Sequence, residues 1–306
     1  MEYELVLIRP DELFLKSEPV MRDMMKQLTH NVKVALRSKD ITYDSIAKQR
    51  LGILIKTPEI DEVIKVCRYL PGISKLIPVV VVGASMTTMK EVALELAKKA
   101  RLTKSKSFAI RAKRSNKAYK YSSKQMEEKI GAYVQTKTKA KVNLTKPDIT
   151  VYVETLDNKI LISTKKVQGI GGLPVGVSGK VVCLMKDDKD FIAAYLFLRR
   201  GCEIIPLHFR ASDKEQQKYL NKLKKLNKFA YGVQIKPTNV KGGVSVSLAT
   251  KLASHIGAKS LCIGPINLNK KHLEWMSKSN LPLFTPLVGL NKEELASFKR
   301  IIFKKG

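Results

Sequence analysis

Cysteine and histidine, the residues from which many metal sites are built, are scarce in this sequence. Its 306 residues include four cysteines and four histidines, with no CxxC pair. The cysteines lie far apart, at Cys67, Cys183, Cys202 and Cys262. This spacing argues against a zinc knuckle or a disulfide framework. We therefore expect no metal site. Cys67 and Cys183 lie within apolar patterns and are expected to be small, buried thiols, whereas Cys202 is a weak candidate for a reactive thiol.

Long hydrophobic runs and an N-terminal leader are also lacking. No apolar run reaches the length of about 18 residues that a membrane-spanning helix needs. The N-terminus reads MEYELVLIRPDELFLK, which is acidic and strand-like and lacks the basic start and cleavage site of a signal peptide. We expect a cytoplasmic protein without a membrane partner.

Acidic side chains are few compared with basic ones. The chain carries 57 Lys and Arg against 27 Asp and Glu, a formal net charge of +30. Such an excess favours binding to a polyanion through counterion release and long-range attraction. The length is sufficient for two or three domains with separate cores.

The positive charge is densest in residues 101–147. Fourteen side chains there are basic: Arg101, Lys104, Lys106, Arg111, Lys113, Arg114, Lys117, Lys120, Lys124, Lys129, Lys137, Lys139, Lys141 and Lys146. Only Glu127 and Glu128 are acidic. This basic stretch points to RNA as the first candidate partner. The alternative is a solvated lysine-rich surface.

The basic stretch also carries folding signals. Phe108 and Ile110 alternate as in a strand, which leaves Arg111 and Lys113 on its other face. A helix with apolar positions at helical spacing follows, and Ser122 or the next serine can cap it. A disordered basic tail would show neither pattern. We expect a folded scaffold that presents cations to RNA.

Seven residues of this stretch are candidate RNA contacts. The predicted phosphate contacts are Arg111, Lys113, Arg114, Lys117 and Lys120. Tyr119 and Tyr121 could stack on an unpaired base. The alternative for the two tyrosines is that one or both pack beneath the strand.

Periodicity predicts the order of elements in the first half of the chain. Strands at 3–8, 51–57 and 73–82 alternate with helices over 19–37 and from 61, a pattern that suits a ferredoxin-like α+β unit. Pro78 indicates an edge strand or a bulge. Thr87 or Thr88 is predicted to cap the next helix. A hairpin is predicted at 148–167, with its turn at Asp157-Asn158.

The last part of the chain has a different texture. Apolar runs at 181–185, 203–209, 233–237 and 259–264 alternate with helical patterns, which predicts a parallel α/β sheet with flanking helices. A glycine-rich stretch at 169–179 precedes it and indicates a boundary. Trp275 lies in a helical pattern and is expected in the core.

Six stretches occur in an order known from one family. They are DELFLKS (11–17), LPGI (70–73), FAIRAKRSNKAYKYSS (108–123), LTKPDITVYVE (144–154), GIGGLPVGVSGKV (169–181) and AAYLFLRRGCEIIPLHF (193–209). Over nearly the whole chain they resemble the tRNA 4-thiouridine synthetases, also called tRNA sulfurtransferases. The first two are similar to that family's ferredoxin-like domain, the next three to its THUMP RNA-binding domain, and the last to its PP-loop nucleotide-binding domain.

The resemblance implies a fold and a partner. The fold is an N-terminal ferredoxin-like α+β domain (1–80), a THUMP α/β domain (81–170), a glycine-rich linker (171–179) and a Rossmann-like PP-loop-type parallel sheet (180–306). The partner is tRNA, bound near its acceptor end, and the resemblance also suggests a homodimer. Lys16, Gly171 and Gly172 are further candidate RNA contacts, although the glycines could equally serve as a hinge.

The nucleotide loop departs from the family pattern. The family has Ser-Gly-Gly-x-Asp-Ser where this chain has Lys186-Asp187-Asp188-Lys189-Asp190-Phe191, so that only Asp190 matches. The family's glycines let backbone N–H groups surround a phosphate. A carboxylate about 4 Å from a phosphate would cost about 4 kcal/mol at a surface-like dielectric. We expect an acidic loop that caps the following helix, with no cofactor.

The alternative for this loop keeps ATP. Lys186 or Lys189 could offset part of the repulsion, and a Mg²⁺ ion held by Asp187, Asp188 and Asp190 could bridge to a nucleotide.

The sulfur chemistry of the family also lacks a visible counterpart. The resemblance places the sulfur-carrying cysteine beyond residue 306, and Cys202 and Cys262 have no neighbouring histidine in sequence. We therefore expect a tRNA-binding protein whose catalytic centre has degenerated, acting in tRNA modification as a binding or positioning factor. The alternatives are an active tRNA sulfurtransferase with an atypical loop or an external sulfur donor, and a scaffold for another modification enzyme.

Overall fold

The computed structural model describes residues 2–11, 13, 16–49, 52–115, 119–156, 158–209, 212–232, 235–236, 238–240 and 245–303. The chain divides into two compact units. Unit 1 comprises Met1–Arg9, Ile41–Ile64 and Lys75–Gln168, and unit 2 comprises Pro10–Asp40, Lys65–Ser74 and Gly169–Gly306. Three separate segments build each unit, and the domain boundaries given above stay predictions.

The first elements follow a ferredoxin-like order. They are β1 (Leu5–Pro10), α1 (Glu18–Arg37), β2 (Ser45–Gln49), β3 (Gly52–Lys56), α2 (Ile60–Cys67) and β4 (Ile73–Gly83). This β-α-β-β-α-β order confirms the predicted fold class and adds β2, which the sequence reading missed. None of the residues of β2 is fully buried, so the strand has no apolar run to reveal it.

The second group of elements contains the basic stretch. It consists of α3 (Met86–Lys99), β5 (Ser107–Arg114), α4 (Ser123–Thr138), β6 (Lys141–Val142), β7 (Ile149–Leu156), β8 (Lys159–Ser163) and β9 (Val167–Gly171). The predicted cap of α4 is confirmed, because Ser122 and Gln125 form a capping box. The predicted cap of α3 is wrong. Ser85 caps that helix, and its hydroxyl accepts the N–H of Thr88 at 3.4 Å.

One large sheet joins these strands, in the order β2-β3-β1-β4-β8-β7-β5-β6, with β9 paired to β4. The strand β4 therefore lies inside the sheet, and the edge position expected from Pro78 is wrong. Pro78 precedes the stretch 80–83 that pairs with β8, so the hydrogen bonds between β4 and β8 do not need the N–H that proline lacks. The predicted hairpin is confirmed as the antiparallel pair β7–β8, although Asp157 lies outside the described residues.

The edge of β5 is covered by side chains of α4. The short strand β6 pairs with β5 only at Ser107 and Phe108. Further along, the N–H of Ala112 donates to the carboxylate of Glu127 at 2.8 Å, and the N–H of Arg114 donates to Ser123 at 3.1 Å. One of the two acidic residues of the basic stretch is thus used to satisfy the strand edge.

The C-terminal part forms the parallel sheet that the sequence predicts. Its elements are β10 (Lys180–Met185), α5 (Asp188–Arg199), β11 (Glu203–Phe209), α6 (Asp213–Asn227), β12 (Thr238–Val240), α7 (Val246–Ile256), β13 (Ser260–Cys262), α8 (Lys270–Lys278), β14 (Leu283–Phe284) and α9 (Lys292–Phe303). The strand order is β12-β11-β10-β13-β14, and all four pairs are parallel. The apolar run 233–237 lies largely outside the described residues.

Each side of the parallel sheet buries its own core. One core joins α5 and α6 around Tyr195, Phe191 and Phe229, and α9 packs against it. The other lies around Leu207 and Leu261 beneath α7. Trp275, which the sequence pattern places in the core, is only partly buried and packs at the margin of this core. In the part of the chain that the structure describes, no helix combines the length and the apolar character that crossing a membrane requires.

Candidate nucleic-acid interface

The predicted alternation of β5 is present. Phe108 and Ile110 are buried in the core that α3 and α4 cover, whereas Arg111 and Lys113 are exposed on the opposite face. The guanidinium of Arg111 donates to the carbonyl of Leu144. The candidate face is therefore carried by a strand that pairs with β7 from Phe108 to Arg114 and is held in a defined conformation.

The two tyrosines after β5 lie at the margin of the core. Tyr119 and Tyr121 are half-buried, and their rings meet edge to face with centroids 6.0 Å apart. The hydroxyl of Tyr119 donates to the carbonyl of Ala84 at 3.2 Å. Burial and the neighbouring Tyr121 raise the pKa of Tyr119. This packing favours the alternative interpretation, in which one or both tyrosines pack beneath the strand.

The basic side chains around Tyr121 approach its ring. The ammonium groups of Lys120 and Lys129 lie 5.5 and 5.9 Å from the ring centroid. Arg114 is exposed, whereas Lys117 lies outside the described residues. The ring of Tyr121 therefore has cations on an adjacent loop and on α4, which leaves a strongly positive surface beside it.

A second group of cations surrounds Glu154 on β7, on the same face as Lys113. Arg9 binds the Glu154 carboxylate at 2.5 Å and Lys113 lies 3.7 Å from it. The hydroxyl of Ser115 also donates to Glu154, at 2.8 Å. Of this group the sequence reading singled out only Lys113. Arg9 was overlooked because it occupies the same alternate positions of β1 as apolar residues. Its place in the sequence therefore gives no sign of a charged partner.

Lys166 completes this group. Its ammonium lies 3.3 Å from the centroid of the Tyr152 ring. Partial burial lowers the pKa of Lys166 to about 8; the cations Lys75, Lys113 and Arg9 add to the effect and Glu154 opposes it. We call Arg9, Lys75, Lys113 and Lys166 the Glu154 cluster.

The glycines predicted to offer backbone amides to RNA have another role. Gly171 and Gly172 are buried, and the N–H of Gly172 donates to the carboxylate of Asp11 at 2.8 Å. A side chain at Gly172 would lie 2.1 Å from the carbonyl oxygen of Arg199. Close approach to the Arg199 backbone explains the glycine at 172, and a Cβ at Gly171 would lie 2.5 Å from a carboxylate oxygen of Asp11. The RNA contacts expected of these two glycines stay a prediction. Lys16 is exposed in unit 2.

In the loop 186–190 of unit 2, aspartate side chains accept hydrogen bonds from backbone N–H groups of the same loop. The Asp190 carboxylate accepts the N–H groups of Lys186, Asp187 and Gly264, at 2.8, 3.0 and 2.8 Å. The Asp187 carboxylate accepts the N–H of Lys189 at 2.8 Å and caps α5. The expected acidic capping loop is therefore present. Burial raises the pKa of Asp190, although the backbone donors oppose the rise.

Asp188 ties the start of α5 to two other helices. Its carboxylate lies 2.7 Å from the ammonium groups of Lys222 on α6 and Lys299 on α9. Burial alone would raise the pKa of Asp188, but the two lysines outweigh it and lower the pKa below its usual value. An open cavity of about 530 Å³ lies beside this ion pair, with Lys186 and Lys189 also on its wall.

The four cysteines are free and buried, which confirms the prediction for Cys67 and Cys183. Burial raises the pKa of Cys67 to about 12 and that of Cys202 to about 11, and it also raises the pKa of Cys262. A thiol with a raised pKa is a weak nucleophile at neutral pH. Among the described residues no group of three or more His, Cys, Asp or Glu side chains could hold a metal ion.

Comparison with protein families divides the chain into three matches. Residues 5–76 match the ThiI ferredoxin-like domain, residues 83–165 match the THUMP domain, and residues 176–261 match the thiamine biosynthesis protein ThiI. The probable tRNA sulfurtransferase of Thermococcus kodakarensis is 29% identical over 335 residues, covering 98% of this chain and 88% of its own length. That of Methanocaldococcus jannaschii is 27% identical, covering 97% and 87%.

Two solved structures share the fold of the whole chain. The crystal structure of PH1313 from Pyrococcus horikoshii has a TM-score of 0.86 at 27% identity and covers 97% of this chain and 98% of its own. The crystal structure of a 4-thiouridine synthetase–RNA complex with bound ATP has a TM-score of 0.81 at 22% identity and covers 99% and 87%. At that identity the second structure supports the fold alone.

Proposed function

Because the chain belongs to the tRNA sulfurtransferase family and carries its ferredoxin-like, THUMP and ThiI parts in order, we propose that it binds tRNA near the acceptor end. We further propose that it acts in tRNA modification as a binding or positioning factor, without the ATP-dependent step of a sulfurtransferase. The first proposal concerns unit 1, and the second concerns the loop at the start of α5.

The observation that supports tRNA binding is the folded basic face of the THUMP match. The exposed side chains of β5 and of the loop after it are cationic, and the strand beneath them is fixed by the core and by α4. Phosphate contacts from Arg and Lys position a protein on RNA. We assign this role in unit 1 to Arg111, Lys113, Arg114, Lys117 and Lys120. Lys16, in unit 2, is proposed as an RNA contact in its own right.

The loop 186–190 supports the absence of the ATP step. A nucleotide phosphate at a PP-loop needs free backbone N–H groups at a helix N-terminus. Here carboxylates of the same loop accept the N–H groups of Lys186, Asp187, Lys189 and Gly264. Asp187 and Asp188 would also repel a phosphate. The residues present therefore do not fit a triphosphate at this loop.

A filter-binding titration tests tRNA binding. We expect tighter binding to tRNA than to an RNA hairpin of equal length that lacks the CCA end. We also expect log K to fall linearly with log salt concentration, because phosphate contacts release counterions. Equal affinity for both RNAs, with an equal salt slope, would reduce the proposal to general polyanion binding.

Thermal unfolding with ATP and Mg²⁺ tests the second proposal. We expect no saturable rise in Tm with ATP, whereas tRNA raises the Tm of the same protein by mass action. A saturable rise with ATP that is lost on replacing Lys189 by Ala would favour the alternative of an active tRNA sulfurtransferase. In that alternative, Lys186 and Lys189 on the cavity wall hold the phosphates, and a separate protein donates the sulfur.

A further inference from the structure

The Glu154 cluster collects cations from four separate segments of unit 1. Arg9 follows Leu5 and Leu7 at alternate positions of β1, and Leu7 belongs to a buried apolar cluster with Val79. Lys75 shares its alternate positions on β4 with Ile77 and Val79, which lie in the same cluster. The two cations therefore lie on one sheet face, at the end of an apolar row.

Among the described residues, the groups shown at this cluster are mostly cationic. Arg9 and Lys113 share the carboxylate of Glu154, and Lys75 and Lys166 add two further positive charges. The charged groups that act on Lys166 are Lys75, Glu154, Lys113 and Arg9, and three of these four are cations. Four cations at close range repel one another, and a bound anion would relieve the repulsion.

The cluster has the geometry of a preformed anion site. The Glu154 carboxylate, which also accepts the hydroxyl of Ser115, binds both the guanidinium of Arg9 and the ammonium of Lys113. The ammonium of Lys166 lies over the ring of Tyr152, two residues before Glu154 on β7. Guanidinium and ammonium groups on one sheet face match the several oxygen atoms of a phosphate.

We propose that Arg9, Lys75, Lys113 and Lys166 together bind one phosphodiester group of an RNA backbone, on the sheet face opposite α3 and α4. This proposal rests on the proposed tRNA binding and adds a specific anchor to it. The anchor shares Lys113 with the basic face of β5 but depends on β1, β4 and the segment before β9. A phosphate held there would fix the position of the RNA across the sheet.

The test is a salt titration of tRNA binding with Lys75→Gln, Lys166→Gln and the double variant. Each single variant should weaken binding several-fold at a fixed salt concentration. The slope of log K against log salt should fall by about 0.7 to 0.9 in the double variant, the value for one phosphate. Because both lysines contact the same phosphate, the slope lost in the double variant should not exceed that of a single contact.

Two matched controls make the result specific. Lys98→Gln removes the same charge from an exposed position of α3, which packs on the opposite side of the sheet from the cluster. This variant should leave the slope unchanged. Lys120→Gln removes a contact of the basic face and should lower the slope whether or not the anchor exists. All variants should melt at the temperature of the wild type, because the replaced side chains are exposed.

The outcomes separate this proposal from the function on which it rests. An unchanged slope in the Lys75/Lys166 double variant, with a reduced slope in Lys120→Gln, would overturn the anchor and leave tRNA binding intact. A loss of about two phosphate contacts in the double variant would also overturn it, since two separate contacts would then exist. Failure of the wild type to prefer tRNA over the hairpin would overturn the proposed function itself.

Discussion

The carboxylate of Asp190 accepts the backbone N–H of Gly264 at 2.8 Å, although the two residues are 74 positions apart in the chain. This bond joins the first turn of α5 to the residues that follow β13. Gly264 approaches so closely that a Cβ there would lie 2.6 Å from the carbonyl carbon of Lys189. The loop at the carboxyl end of β10 is thus closed by its own carboxylate.

Replacing Asp190 by Ala should therefore destabilise the protein strongly. The change removes the acceptor of three backbone N–H groups, of which that of Gly264 is buried. An unsatisfied buried donor costs about 1–3 kcal/mol, and we expect a loss of about 2–3 kcal/mol in the free energy of unfolding from urea denaturation. The control Asp187→Ala removes the exposed side-chain cap of α5 and should cost about 1 kcal/mol. Equal losses in both variants would contradict this account.

The two aspartates should give opposite pH dependences of stability. The pKa of Asp190 is raised, so its contribution is fully present below the ordinary pKa and is lost as pH rises through the raised value. The pKa of Asp188 is lowered, so its contribution is present above the ordinary pKa and is lost as pH falls. Between about pH 3 and 6, stability should rise more steeply with pH in Asp190→Asn than in the wild type, and less steeply in Asp188→Asn.

Tm measured as a function of pH in the three proteins would check these slopes. Because both changes replace an aspartate by its uncharged amide of similar size, they control for each other. Parallel curves for the two variants would show that neither carboxylate titrates differently in the folded and unfolded states.

Replacing Glu154 by Gln should change stability and RNA affinity in opposite directions. The variant loses the ion pairs with Arg9 and Lys113, which should lower the Tm. It also removes the negative charge that the cations of the Glu154 cluster surround, so tRNA should bind several-fold more tightly at low salt. Filter binding and thermal unfolding on the same samples would check both effects. Weaker tRNA binding would mean that Glu154 matters chiefly by holding Arg9 in place.

The affinity for tRNA should fall as pH rises above about 8, because Lys166 then loses its proton in the free protein. A bound phosphate favours the ammonium form, so that binding is accompanied by proton uptake and affinity falls with rising pH by up to about tenfold per pH unit. The charged groups that act on Lys166 are Lys75, Glu154, Lys113 and Arg9.

Calorimetry in buffers of different ionisation enthalpy would measure this proton uptake. The control Lys166→Arg keeps the positive charge but does not titrate below about pH 12, and its affinity should not vary between pH 7 and 9. The same pH dependence in wild type and control would exclude Lys166 as the titrating group.

Local signals in the sequence were sufficient for most elements. The capping box of Ser122 and Gln125 forms within four consecutive residues, so the start of α4 could be predicted. The strand β2 could not, because its residues face solvent on both sides and it owes its place to pairing with β3. The cap of α3 was displaced from Thr87 or Thr88 to Ser85, a difference of one helical turn or less that propensity alone does not decide.

The candidate sites divide in the same way. An acidic loop directly before an apolar helix predicts a helix cap, and in the structure Asp187 caps α5. The association of Arg9 with Glu154 could not be predicted, since 145 residues separate them and the strand order that joins β1, β4, β8 and β7 is a property of the whole sheet. Residues brought together by tertiary pairing leave no spacing pattern in the sequence.

Glu127 and Ser123 occupy the backbone donors along the outer side of β5, and this limits how a partner can dock. An extended peptide or a second copy of the protein cannot lengthen the sheet there by adding a strand, because the required N–H groups are already used. We therefore expect a partner to contact the side chains that β5 exposes, such as Arg111 and Lys113, and not its backbone.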